Sequence, residues 1–184
     1  GRLLRGKGLG TLLQAFGALA SRNTSLHLLL VGSGEGQSLS VEDELRTKVR
    51  EQGLHARVTF AGRVEDVAPY LEASDVFVFP SVFEALGLSL LEAAACGLPC
   101  LGSRTGGIVD VIEDGGSGFL VDPADPGELA EKLALLAADP GRRQSMGRNG
   151  RRIVEERFDA EDSLARYRSL FAELAASAFG RLHP

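Results

Sequence analysis

Residues 77–99 read FVFPSVFEALGLSLLEAAACGLP. An apolar run beginning at Asp75 is closed by Pro80 and reads as a buried strand. A short loop follows, and residues 87–95 then carry a helical pattern stopped by Gly97 and Pro99. Within this stretch Glu84 and Glu92 stand eight apart, one in the loop and one in the second turn of the helix. Gly87 and Leu88 fall at the helix N-terminus, where free N–H groups and the positive end of the helix dipole suit an anion. Glu92 lies in LSLLEAAAC, apolar on nearly every face, and a carboxylate buried there needs a charge partner or a ligand. For Glu84 the residues alone leave a binding role and a structural role evenly balanced.

The strand–loop–helix unit repeats on both sides. Residues 8–21 form an amphipathic helical pattern through Leu9, Leu12, Leu13, Phe16 and Leu19, and LHLLLV (26–31) is a short, nearly unbroken apolar run. Further helices are expected over 41–52 and part of 65–74, with strands over 57–62, 99–103 and 118–122 and a short helix over 108–114. From Pro126 the chain reads as helical throughout (127–138, 141–156, 161–178), with Asp159 or Asp162 as cap of the last helix. Repeated alternation of this kind predicts an open parallel sheet covered by helices on both faces. The expected organisation is one domain over 1–156 with a helical tail over 157–184. Ligands of such sheets sit at the carboxyl ends of the strands, where GSGEG, GRV, PSVFEALG and SRTGG all fall.

Composition narrows the function. The net charge of −5 over 184 residues disfavours a broad nucleic-acid-binding surface but leaves room for a small anionic ligand at a focused cluster of cations. Cys96 and Cys100 are spaced C-x3-C with no second pair, which does not fit a zinc knuckle, and they read as two small buried thiols in a reducing compartment. His27, His55 and His183 are scattered, so no metal is expected. No apolar run is long enough to cross a bilayer. The abrupt start at Gly1 reads as a piece of a longer protein.

Two glycine motifs fail on inspection. GRLLRGKG (1–8) matches a phosphate-binding P-loop through Gly1, Gly6 and Lys7, but Gly8 stands where that loop needs a magnesium-binding hydroxyl. VGSGEG opens like a dinucleotide fingerprint at Gly32 and Gly34, but the sixth place is Gln37 and no acid closes the next strand.

Taken together, these segments resemble the retaining glycosyltransferases of the family-4 type. The resemblance rests on G-R-L-x-x-x-K-G at 1–8, the VGSGE turn, FAGRVED, the E-x7-E frame and the GG-x-x-x-x-I-x-D-G-x-x-G-x-L-V segment from Gly106 to Val121. It covers nearly the whole chain, in order. It implies a Rossmann-like domain, the C-terminal, donor-binding half of a GT-B architecture of two facing domains. The implied reaction moves a hexose from a nucleoside diphosphate to a hydroxyl acceptor with retention and without metal. Arg2 and Lys7 correspond to the residues that bind the diphosphate, Glu84 to the one that contacts the donor sugar, and Glu92 to the one that holds the ribose hydroxyls. Gly87 and Leu88 would present N–H groups to the phosphates, Gly32 lies in the adjoining turn, and Arg63 and Val64 line the place of the base. Arg2, Lys7 and Glu84 are the catalytic candidates.

The family often carries Pro-Glu after GG-x, where this chain has Val109-Asp110. The resemblance also implies a further strand ahead of Gly1 and an N-terminal, acceptor-binding domain. Without that strand the sheet would keep an unpaired position that invites association with another chain. The expected setting is cytoplasmic, with peripheral attachment at an inner membrane face left open, as are the base, the sugar and the acceptor. The rival reading is a non-catalytic lobe serving as partner subunit or sensor of nucleotide sugars. Intact Arg2, Lys7, Glu84 and Glu92 weigh against it.

Overall fold

The computed structural model describes residues 1–179. His183 and the last five positions of the expected tail lie outside the described residues. Five strands, β1 (Leu28–Val31), β2 (Val58–Gly62), β3 (Phe77–Phe79), β4 (Cys100–Ser103) and β5 (Gly118–Val121), alternate with helices. The helices are α1 (Leu9–Ala20), α2 (Glu42–Glu51), α3 (Ala68–Glu72), α4 (Leu88–Ala95), α5 (Ile108–Val111), α6 (Pro126–Ala138), α7 (Pro140–Arg157) and α8 (Ala160–Phe179).

All strand pairings are parallel, as expected, but they fall into two groups, β1–β2 and β3–β4–β5. The burial of the strands follows that division. β4 and β5 are buried at every position, whereas LLLV in β1 and FVF in β3 are mostly half-buried despite being equally apolar. β4, with a hydrogen-bonded strand on each side, is the centre of its group.

Helices cover both faces. One core joins Leu12, Leu13 and Phe16 of α1, Leu45 and Val49 of α2, and Leu129 and Leu136 of α6 to Leu30 and Val58. The other joins Leu90, Ala93 and Ala94 of α4 to Ile108 and Val111 of α5, with Val154 of α7 packed against it. β4 and β5 divide their side chains between the two: Leu101, Phe119 and Val121 go to the first core, Cys100 and Leu120 to the second. This is the period-two alternation of a strand buried on both faces.

Caps set the last helices. Asp125 Oδ1 accepts from the N–H groups of Gly127 and Glu128 at the start of α6, and Asp139 Oδ1 from Arg142 at the start of α7. Asp159, rather than Asp162, caps α8, accepting from Glu161 and Asp162. The side chains of 161–175 on that helix are exposed, Tyr167 and Phe171 among them.

The thiols depart from expectation. Cys100 is buried at the start of β4, but Cys96, past the end of α4, is exposed. The run AAAC does not register which face is covered, because alanines suit either side of a helix.

Candidate functional site

The segment 1–8 lies across the carboxyl ends of β1 and β3. Leu3 is its anchor: the side chain is buried, its N–H donates to Ser33 O, and its carbonyl accepts from Val41. Arg5 N–H donates to Leu39 O, and Gly6 O accepts from Val82 N–H at 3.0 Å. The chain thereby ties the turn after β1 to the loop after β3.

Gly8 explains why the P-loop match breaks where it does. Its φ is +65°, and a Cβ placed on it would lie 1.8 Å from Pro80 O. A serine or threonine has no room there, and the close approach of the α1 start to Pro80 depends on glycine. The same approach delivers Lys7 into the loop after β3. Lys7 Nζ donates to Glu84 Oε2 at 2.6 Å and lies 5.5 Å from the centre of the Phe79 ring.

Gly87 caps α4 with φ +82°, packed against the Phe79 ring and the Glu84 Cγ. It turns the chain into α4, whose first N–H groups, at Leu88 and Ser89, have no partners inside the helix. Glu92 is on the same helix. Its side chain is exposed, so the expectation that it is buried among apolar groups is corrected. The buried stripe of α4 is Leu90, Ala93 and Ala94, and Glu92 falls on the other side. It lies near the start of the chain, where the Gly1 nitrogen donates to Val31 O at 2.7 Å.

Gly32 follows β1 with φ +128°, and a Cβ there would meet Gly1 O at 1.6 Å. Its N–H donates to Gly62 O, which sets the exposed Arg63 and half-buried Val64 beside the same turn. Arg2 is exposed next to it. The candidates thus gather at the carboxyl ends of the two strand groups: Gly32, Arg63 and Val64 on the β1–β2 side, Glu84, Gly87, Leu88 and Glu92 on the β3 side, with Arg2 and Lys7 on the segment that links them.

Sequence reasoning missed several supporting residues. Glu42, at the start of α2, accepts from Gly34 N–H and Ser33 Oγ through Oε2 and from Arg46 through Oε1. These bonds hold its carboxyl below the usual range, the Gly34 N–H contributing most. It fixes the turn that receives Leu3. The acid-rich first turn of a helix directly after a glycine loop was the available signal. Gly106 and Gly107 pack on the Glu84 backbone, a contact that no spacing reveals. Ser81 Oγ and Ser103 Oγ, at the ends of β3 and β4, are buried and bond to no protein group among the described residues.

The cluster is cationic at its centre, Lys7 with Arg2 beside it, and has two carboxylates and a helix start around it. Among the described residues no group of three His, Cys, Asp or Glu side chains is placed to hold a metal ion. No helix among them is long and apolar enough to cross a membrane.

Comparison with known proteins gives the family and the fold. The family model described as glycosyl transferases group 1 matches residues 1–153. N-acetyl-alpha-D-glucosaminyl L-malate synthase of Bacillus anthracis is 34% identical over 161 residues, 88% of this chain and 41% of that protein. Among solved structures, sucrose-phosphate synthase from Thermosynechococcus elongatus superposes with a TM-score of 0.88 at 35% identity, covering 96% of this chain and 44% of that one. The HepE protein of Anabaena in complex with UDP gives 0.83 at 28% identity, covering 96% and 47%. The chain therefore spans less than half the length of these relatives. Its parallel α/β fold is one half of a GT-B glycosyltransferase, and the chain belongs to the group 1 glycosyl transferases.

Proposed function

We propose that this chain is the donor-binding half of a retaining hexosyltransferase that works without metal. In this reading the nucleoside diphosphate of the donor lies over the start of α4, its phosphates taken by Arg2, Lys7 and the N–H groups of Gly87 and Leu88. Glu84 contacts the sugar, Glu92 accepts from the ribose hydroxyls, and Arg63 and Val64 flank the base near the Gly32 turn. The observation that carries the reading is the convergence of Lys7, Glu84 and the α4 N-terminus at one sheet edge. A structural relative bound to UDP has the same fold at 28% identity.

The chemistry follows from charge. As the bond between the anomeric carbon and the β-phosphate oxygen breaks, negative charge grows on that oxygen. Lys7 meets it as a point charge and Arg2 as a fork. Fixed cations and helix N–H groups aimed at developing charge are each worth on the order of 3–4 kcal/mol of barrier. The acceptor hydroxyl attacks from the face the diphosphate leaves, giving retention. Its proton passes to the departing phosphate oxygen, so the products are the glycoside and the nucleoside diphosphate. The acceptor, a glycan, lipid or small-molecule hydroxyl, is held by a second domain. The setting is cytoplasmic, with any membrane attachment peripheral.

Calorimetric titration with UDP, GDP and ADP in the presence of chelator tests the reading, alongside Lys7→Ala and Glu92→Ala. Metal-independent binding of one nucleotide, weakened in both variants, is the expected result. A folded chain that binds none of the three overturns it.

A further inference from the structure

We propose that Gly106 and Gly107, in the loop after β4, are positioning residues for Glu84. This rests on the reading above that Glu84 contacts the donor sugar. The segment from Pro80 to Leu86 belongs to no helix or strand, yet it must hold that carboxylate in place. Among the described residues its backbone is tied at two points, to the 3-10 turn at Arg5–Lys7 and to the loop after β4. Val82 N–H donates to Gly6 O at 3.0 Å, and Glu84 O accepts from Gly107 N–H at 2.9 Å.

The second tie is also a steric seat. A Cβ on Gly106 would stand 2.0 Å from Glu84 O, and one on Gly107 would stand 2.1 Å from Ala85 O. Gly106 moreover has φ +50°, a conformation that side chains rarely adopt. The two bare Cα atoms therefore let the loops touch backbone to backbone. Ile108 follows at once as a fully buried residue opening α5, and its side chain packs against Gly102 of β4. The seat is thus fixed to the sheet. Lys7 holds the Glu84 side chain from one side, while Gly106 and Gly107 hold its backbone from the other.

A methyl group at either glycine requires the facing carbonyl to retreat from about 2 Å to the 3.0 Å below which such contacts do not occur, a shift of roughly 1 Å. Misplacement on that scale is enough to cost about a hundredfold in a positioned reaction. The diphosphate site at Arg2, Lys7 and the α4 start touches neither glycine, so its affinity should be spared.

The test measures binding of UDP, GDP and ADP and of UDP-glucose, GDP-mannose and ADP-glucose to the wild type, Gly107→Ala, Glu84→Gln and the double variant. Gly107→Ala should weaken the bound sugar nucleotide about tenfold and leave its nucleoside diphosphate within about twofold. The double variant should be no weaker than Glu84→Gln alone, because Gly107 acts on the sugar through the Glu84–Ala85 backbone that places the Glu84 carboxylate. Equal loss of both ligands, or additive losses in the double variant, would mean a general structural role and would overturn the proposal. A wild type that binds no nucleotide or sugar nucleotide removes the donor-site reading and this inference with it. Amide exchange in the wild type gives an arm that does not depend on a variant folding. Gly107 N–H should be strongly protected by its bond to Glu84 O, and exchange at the rate of a free loop would overturn the seat.

Discussion

Lys7 Nζ and Glu84 Oε2 lie 2.6 Å apart, 77 residues apart in sequence, with side chains 28% and 19% exposed. The cation assigned to the diphosphate and the carboxylate assigned to the sugar thus neutralise each other when the donor is absent. A double-mutant cycle with Lys7→Ala and Glu84→Ala, read by urea denaturation, should give a coupling of about 1–2 kcal/mol, above the usual value for a fully exposed pair. Saturating nucleoside diphosphate should reduce it, because a phosphate competes for the ammonium. Coupling indistinguishable from zero in the free protein would show that the pair is not formed in solution.

Glu42 gives stability a pH dependence. Its folded carboxyl is held below the ordinary value of 4.5 by the Gly34 N–H, Arg46 and Ser33. A depressed folded value means the contribution is fully present above the unfolded value and is lost as pH falls through the folded one. The wild type should therefore exceed Glu42→Gln in denaturation midpoint at pH 7, and the gap should close on acidification below about pH 4. A gap that persists at pH 2.5 would point to shape rather than charge.

The two thiols should separate in a labelling experiment. Cys96 is exposed, whereas burial pushes Cys100 up to about 12. A thiolate-selective reagent at pH 8 should modify one cysteine in the native protein, identified as Cys96 by peptide mapping, and both in denaturant. Rapid native modification of Cys100 would contradict its place in the second core.

Asp125 is a separable contribution to α6. Its Oδ1 accepts from both Gly127 and Glu128 N–H groups. Asp125→Ala should cost about 1 kcal/mol and lower Tm by about 2–4 °C, while Asp125→Asn should recover most of the loss. α6 packs on α1 and not on the segment that carries Lys7, so nucleotide affinity serves as the control and should not change.

Much of the fold was legible because hydrophobic periodicity encodes which face is covered. Each expected strand and helix is present within a few residues, and β4 and β5 distribute alternate residues to the two cores as a doubly covered strand must. Where side-chain size carried no signal, the reading failed. In LEAAAC the alanines fit either face, and Glu92 and Cys96, expected to be buried, are exposed.

The sequence by itself determined the order of elements, the parallel α/β class and the spacing of Glu84 and Glu92, because these depend on local pattern and on residues close in the chain. It also identified Gly8 as the residue that breaks the P-loop match. Only tertiary structure decided why glycine is needed there, with Pro80 O filling the space a side chain would take. It alone brought Lys7 to Glu84 and seated Gly106 and Gly107 on the backbone beside that carboxylate. The first contact joins two side chains far apart in the sequence, and the glycine contacts run through backbone atoms, which every residue carries alike. No pattern of side-chain types records them until the chain is folded.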